Sequence, residues 1–397
     1  MKKSGDETLV TLHDAAYSLV SRQAPENARG GRIANAVGAS TPNMTSDLRP
    51  LIDKIYSPNS LIGSKFCFDD WPNHAHMRYF SAGRHAFLAA LRIAGIKRDD
   101  RVLIPDFICR EMLAPLYCLG ASPSFYAVER DGLTPHFNSD TPVCKAVVAI
   151  NYFGFAQDLS PFHEYCNRTQ ALLIEDNAHG LFSRDSSGDL LGTRGDMGIL
   201  SMRKTLPIPD GAALLVNNPQ LFDIAPAQLP PSDTPESFRF VTKRILRRLV
   251  KVVGSGPIYG AINFFQCLQA ARTGSAFPVS AIESERDIPV EEKPGRHLGK
   301  YLSIVDPSGE VNRRRDLYSA LDERLREWGA TPVMKSLPSG TSPYCYAFFI
   351  EASQKHRLMT RLHTFRLKCH LWPQLPSKLE STAPSWQRSV WTVAFLW

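Results

Sequence analysis

The sequence lacks the features that mark membrane, secreted or metal-binding proteins. No run approaches the roughly 18 apolar residues that a membrane-spanning helix requires, and residues 1–7 have no apolar segment after their lysines, which argues against a secretory signal. The eight cysteines are scattered and form no Cys-x-x-Cys pair, so reduced thiols fit better than disulfides or zinc. We expect a cytoplasmic protein without a metal site or stable membrane insertion.

Two common nucleotide-binding signatures are also missing. The chain contains no Gly-x-Gly-x-x-Gly and no Walker Gly-Lys-Ser/Thr, which disfavours NAD-dependent enzymes and P-loop NTPases. The net charge of +7 is compatible with a mildly basic surface or with attraction to an anionic ligand. No RNA- or DNA-binding motif accompanies this charge, so we expect no nucleic-acid partner.

Length and composition indicate a folded protein with more than one domain. The composition, with 43% hydrophobic and 21% charged residues, excludes a chain that is disordered throughout. The length of 397 residues is more than a single simple core usually contains. Residues 1–50 are polar and show little periodicity, so we predict a flexible leader. A large domain over 51–270 and a smaller C-terminal α+β domain over 271–397 complete the predicted organisation.

Short apolar runs alternate with helical patterns through the large domain. The helical patterns lie near 83–94, 110–119 and 161–166, and the strand-like runs lie at 101–105, 124–128, 146–150, 172–174, 197–200 and 213–216. This alternation predicts an α/β fold with a mostly parallel sheet covered on both faces.

The C-terminal half contains helical and strand patterns of a different order. Residues 238–253 show the pattern of a basic amphipathic helix. Such a helix could pack through its apolar face with its charges in solvent, or it could contact a membrane surface or bind nucleotide diphosphates. Helices are predicted over 313–328 and 355–365, with a strand over 344–350. The apolar end, 389–397, is predicted to dock as a strand or a helix.

Four chemically useful side chains follow neighbouring strands of the predicted sheet. Asp176 comes at the end of the apolar run 171–174, with His179 three residues later, and Ser201 ends a second run, with Lys204 within one turn. The carboxyl edge of an open α/β sheet is where ligands bind. Pyridoxal phosphate (PLP) needs a lysine for a Schiff base, a carboxylate for its pyridine nitrogen, and hydroxyl or N–H groups for its phosphate.

The order of these residues resembles the DegT/StrS group of sugar aminotransferases, within the fold-type I PLP enzymes. The residues that carry the resemblance are Asp176, Ala178, His179, Gly195, Asp196, Ser201 and Lys204. The glycine pair usual after the lysine is here Gly211-Ala212. The resemblance covers residues 75–215 well and the C-terminal part loosely, and it implies a fold-type I large domain.

The resemblance also implies a role for each residue. Lys204 would form the Schiff base with PLP and then shuttle a proton between the substrate carbon and the cofactor. Asp176 would pair with the protonated pyridine nitrogen, and His179 would hydrogen-bond the phenolic oxygen or stack near the ring. Ser201 would bind the phosphate.

Two further positions are candidates for cofactor binding. Gly83 lies at the start of the first predicted helix, where the resembling family has a Ser-Gly-Thr-like segment that binds the phosphate. In this chain the segment is Ala82-Gly83-Arg84. It is either an ordinary helix cap or a phosphate site. Phe107 follows the strand 101–105, and it is either a core residue or the aromatic side chain that stacks on the pyridine ring.

The implied function is a PLP-dependent aminotransferase. Its amino donor would be glutamate, its acceptor a keto group on a nucleotide-linked deoxysugar, and its assembly a homodimer with the active sites at the interface. A dehydratase branch of the family has histidine in place of the lysine, so Lys204 favours transamination. The alternative is a catalytically degenerate PLP-fold protein that binds a sugar nucleotide or a protein partner without turnover, which Arg84 and Gly211-Ala212 would favour.

Overall fold

A computed structural model describes residues 55, 71–236, 240–242, 244, 245, 282–364, 367 and 369–395. The predicted leader, and the basic pattern 238–253 apart from a few positions, lie outside the described residues. Nearly all of the described residues belong to one compact unit, which comprises Pro50–Lys243 and Ser280–Trp397. The predicted boundary between 270 and 271 also falls outside them and stays a prediction. Within the described part of the chain, no helix is long and apolar enough to cross a membrane.

The larger sheet has eight strands in the order β1-β8-β7-β6-β5-β2-β3-β4. Their bounds are β1 Met77–Phe80, β2 Arg101–Pro105, β3 Ser122–Val128, β4 Pro135–His136, β5 Ala146–Ile150, β6 Leu172–Asn177, β7 Met197–Leu200 and β8 Ala212–Val216. Strands β7, β6, β5, β2 and β3 run parallel, while β8, β1 and β4 pair antiparallel with their neighbours. The prediction of a mostly parallel sheet is confirmed.

Helices follow the parallel strands as the sequence pattern predicts. Those of the large sheet are α1 Gly83–Ile93, α2 Ala114–Cys118, α3 Ser160–Thr169 and α4 Met202–Thr205. All residues of β5 and β8 are buried, which is typical of strands covered on both faces. Helix α1 ends just before Gly95, whose φ of +66° is the left-handed conformation common after a helix C-terminus.

A second sheet of four antiparallel strands lies in the C-terminal part. Its order is β11-β12-β10-β9, with β9 Ala330–Pro332, β10 Cys345–Ile350, β11 Cys369–Leu371 and β12 Trp391–Ala394; the helices are α5 Leu298–Leu302, α6 Pro307–Glu327 and α7 Ala352–Thr364. The apolar end of the chain therefore contributes a strand, β12, which pairs with β10 and β11.

Helix α6 begins six residues earlier than its apolar periodicity predicts. The Asp306 carboxylate accepts a hydrogen bond of 3.0 Å from the Gly309 N–H, and Pro307 occupies the first helical position. An aspartate cap followed by proline is a favourable helix start. The sequence interpretation overlooked this signal because Pro307 and Gly309 are also typical of loops.

Candidate active site

The predicted site lies at the carboxyl edge of the parallel strands. Asp176 is inside β6, where it pairs with Ile150 of β5 and Ile199 of β7. Strand β6 therefore extends beyond the predicted 172–174. Ser201 is the N-cap of α4, and this short helix carries Lys204. Because β6 and β7 are parallel neighbours, their carboxyl ends place Asp176 and Lys204 at the same edge.

Asp176 is a buried carboxylate with spare hydrogen-bonding capacity. The residue is 5% exposed, and its Oδ1 accepts a bond of 2.9 Å from the Ala178 N–H. Its Oδ2 accepts no hydrogen bond from the described residues. Burial raises the pKa of Asp176, while the positive charge of Lys204 opposes this rise. The carboxylate thus lies at the sheet edge that carries Lys204, and it has no cationic hydrogen-bond donor among the described residues.

The preceding residue, Glu175, faces the other side of the sheet, as alternation along a strand requires. It is fully buried, and its Oε1 is 2.6 Å from Nη2 of Arg194 and 2.9 Å from Nδ2 of Asn151. Buried charges are tolerated when they are paired in this way. Of the two adjacent acids, Glu175 therefore has a structural partner and Asp176 does not.

Lys204 and His179 are in direct contact. The Lys204 Nζ lies 3.2 Å from Nε2 of His179. The Phe153 N–H donates to Nδ1 of His179 over 3.4 Å, which assigns the ring proton of the neutral imidazole to Nε2. Burial, together with the charge of Lys204, holds the pKa of His179 well below its usual range. The contact therefore places a neutral imidazole directly beside the Lys204 amine.

Aromatic side chains from the C-terminal part fix the imidazole. The Tyr344 ring stacks on His179 with centroids 4.6 Å apart and planes 3° apart, and Trp372 meets it edge-on at 5.3 Å. Tyr344 directly precedes β10, and Trp372 directly follows β11. The sequence interpretation missed Tyr344, around which no local pattern marks a functional residue.

Ser201 and the start of α1 form a second group with unused polar capacity. Ser201 is 2% exposed, and its hydroxyl has no hydrogen-bond partner among the described residues. A Cβ built on Gly83 would lie 3.9 Å from the Ser201 Cβ. The cap residue of α1, Ala82, has no side-chain cap hydrogen bond, so N–H groups of the first turn stay available to an anion.

Arg84 points into a neighbouring cavity. Its Nη1 donates to the Asp287 carbonyl over 2.7 Å. Burial lowers the pKa of Arg84, and the charge of Arg203 lowers it further. Both side chains line a cavity of about 330 Å³, whose walls also include Ser81, Asp210, Glu291, Lys293 and Arg296. The cavity borders the start of α1, so Arg84 lies beside the Gly83–Ser201 group, and its role in phosphate binding stays a prediction.

Phe107 is packed among other aromatic rings. It is fully buried, with centroid distances of 4.9 Å to Trp386, 5.3 Å to Trp372 and 5.5 Å to Tyr152. These contacts are typical of a core phenylalanine. Its assignment as the residue that stacks on the pyridine ring stays a prediction.

Three groups of the site match the needs of PLP. The free Oδ2 of Asp176 suits a protonated ring nitrogen, the Lys204 amine suits an aldehyde, and the Ser201 hydroxyl suits a phosphate oxygen. The donor set thus fits the cofactor, with Lys204, Asp176, His179, Ser201 and Gly83 as the residues that would hold it.

Solved structures of similar fold include several aminotransferases. The aminotransferase TlmJ from Streptoalloteichus hindustanus is 22% identical, with 80% of each chain covered and a TM-score of 0.54. The putative sugar aminotransferase Spr1654 from Streptococcus pneumoniae, in its PLP form, is 11% identical over 91% of this chain and 94% of that one, with a TM-score of 0.55.

A dehydratase shares the fold as well. The GDP-4-keto-6-deoxy-D-mannose-3-dehydratase of E. coli, with bound hydrated PLP, is 12% identical over 99% of this chain and 93% of that one, with a TM-score of 0.51. At these identities the likeness establishes the fold, which is that of the PLP-dependent transferases.

The sequence also matches a family model over part of its length. Residues 67–229 match the sequence model of the DegT/DnrJ/EryC1/StrS aminotransferase family. The matched segment includes every residue of the candidate site that the large sheet positions, from Gly83 to Lys204. The match is to part of the chain, and the C-terminal part beyond residue 229 lies outside it.

Proposed function

We propose that this protein is a PLP-dependent aminotransferase that acts on a keto sugar. The observation that carries the proposal is the placement of Asp176 and Lys204 at the carboxyl ends of the adjacent parallel strands β6 and β7, in a chain whose residues 67–229 match the model of this aminotransferase family. When bound, PLP supplies an electron sink that stabilises negative charge on the substrate carbon.

Each residue then has a task that its environment supports. The Lys204 amine would hold the cofactor at its aldehyde carbon and would move a proton at the substrate carbon. Asp176 keeps the ring nitrogen protonated, because its buried carboxylate gains a cationic partner there. The Ser201 hydroxyl and the N–H groups at Gly83 hold the phosphate. His179 orients the amine through Nε2.

We further propose a nucleotide-linked keto deoxysugar as acceptor and glutamate as donor. The cations around the cavity, Arg84, Arg203 and Arg296, would favour an anionic substrate. The lysine at position 204, where the dehydratase branch has histidine, supports transamination over dehydration. A homodimer with shared active sites is part of the same proposal.

Exposure of the purified protein to PLP and then to glutamate tests the function. We expect visible absorption from the lysine-bound cofactor, its loss on addition of glutamate, and release of 2-oxoglutarate in equal amount. A nucleotide-linked keto sugar should then restore the absorption as it is aminated. A colourless protein that binds a sugar nucleotide without turnover would support the degenerate alternative and overturn the proposal.

His179→Phe tests the contact between the imidazole and Lys204. A phenylalanine ring can keep the stacking on Tyr344, but it removes the Nε2–H that faces the amine. We expect the apoprotein to capture PLP about tenfold more slowly, the effect of one lost hydrogen bond. Stopped-flow absorbance measures the capture rate. His179→Gln, which retains an N–H donor, is the control and should recover part of it; equal rates in wild type and His179→Phe would contradict the assigned role.

A further inference from the structure

Arg314 is a fully buried guanidinium that connects three parts of the chain. On α6, its Nε donates to Oε1 of Glu310 over 2.7 Å. Its Nη2 donates to the Thr205 carbonyl over 2.7 Å, and its Nη1 donates to the carbonyls of Pro343 and Tyr344 over 3.0 and 3.2 Å. The residue is 0% exposed, so these bonds are shielded from water and a guanidinium can hold them in fixed geometry.

Two of these carbonyls belong to the candidate site. Thr205 follows Lys204 directly and is the last residue of α4. The final carbonyls of a helix have no partner inside it, and at Thr205 the Arg314 side chain supplies one. Tyr344 stacks on His179, which in turn contacts the Lys204 amine at 3.2 Å. Arg314 thus holds the backbone next to Lys204, through Thr205, and the backbone of Tyr344, whose ring stacks on His179.

The neighbouring residue, Arg313, makes a useful comparison. It shares the Glu310 carboxylate, with Nη2 2.6 Å from Oε1, and is 8% exposed. Among the described residues, its other hydrogen bonds reach the Phe395 carbonyl over 3.3 Å. The two arginines therefore share one buried ion-pair partner, and Arg314 in addition bonds the turn that carries Lys204.

We propose that Arg314 is a positioning residue. By donating hydrogen bonds to the carbonyls of Thr205 and Tyr344, it holds the Lys204 amine in contact with His179. The inference rests on the proposed function of Lys204 as the residue that binds PLP. Its effect is exerted through geometry, and small displacements of a reacting group carry large penalties in rate.

Arg314→Lys and Arg313→Lys are the matched test pair. Each keeps a positive charge beside Glu310, but a lysine ammonium cannot span the separate carbonyls that Arg314 bonds. The measurement is the rate at which apoprotein captures PLP, followed by visible absorbance across a pH series, with circular dichroism to establish folding. We expect Arg314→Lys to slow capture by roughly ten- to a hundredfold and to shift the pH midpoint of the bound-cofactor spectrum. Arg313→Lys should leave both within about twofold of wild type.

If Arg314 has only a structural role, Arg314→Lys and Arg313→Lys should both lose stability but keep the wild-type capture rate and pH midpoint. That result would overturn the inference. Should Arg314→Lys fail to fold, Arg314→Gln is the second variant, since it keeps an amide donor without charge, and the same comparison applies. A wild-type protein that never captures PLP at Lys204 would instead refute the proposed function.

Discussion

Lys204→Ala should produce a colourless protein without aminotransferase activity. The residue supplies both the covalent link to PLP and the group that moves the proton, so we expect turnover to fall by at least about a thousandfold. Absorbance of the purified variant after incubation with PLP, and its rate of 2-oxoglutarate formation from glutamate, measure the two effects. The fold should persist, because the Lys204 amine has one hydrogen-bond contact among the described residues, to His179.

The control for this variant is Lys335→Ala. The Lys335 side chain is 77% exposed and pairs with Asp131 on the surface, so its loss should change neither colour nor turnover. A Lys204→Ala protein that keeps the visible absorption would show that another lysine anchors the cofactor. The same outcome would remove Lys204 from the mechanism.

Asp176→Asn should leave PLP bound but depress turnover by at least about a hundredfold, since a neutral amide no longer stabilises the protonated ring nitrogen. The substitution changes little else. The amide oxygen can still accept the hydrogen bond from Ala178, and the side-chain volume is nearly the same. Steady-state kinetics, together with the dissociation constant for PLP, separate the two effects; a variant with wild-type turnover would exclude Asp176 from the mechanism.

The stability of the same variant gives an independent check of its burial. Burial raises the folded-state pKa of Asp176 above 3.8, so the folded state binds this proton more tightly than the unfolded chain. That contribution to stability is present at acid pH and is lost as pH rises through the folded pKa. Apo Asp176→Asn should therefore melt no lower than wild type at neutral pH. Asp131→Asn, at an exposed pair, is the control and should change neither stability nor turnover.

The sequence predicted the large sheet and most of the site because their signals are local. The parallel strands β2, β5, β6 and β7 are short, mainly apolar runs that are almost entirely buried, and the runs that end before Asp176 and Ser201 place these residues at one edge. The spacing from Ser201 to Lys204 is one helical turn, so the amine had to lie near the same edge. These inferences need only the chain order and the geometry of parallel strands.

The rest of the site depends on contacts between distant segments. Tyr344, which stacks on His179, lies 165 positions after it in the chain. No sequence pattern around Tyr344 marks it as functional. Arg314 lies in a run of three arginines, 313–315, which reads as a solvated helix face; the fold buries it instead against Glu310 and the Thr205 carbonyl. Such positions can be assigned only when the packing of α6 against the Lys204 turn is known.

The most direct test of the account is the identification of the lysine that binds PLP. Borohydride reduction of the wild-type protein with bound cofactor fixes the bond between the two, and peptide mass spectrometry then locates the modified residue. We expect a single pyridoxyl group, on Lys204. A pyridoxyl group on any other lysine, or none on the chain, would contradict it.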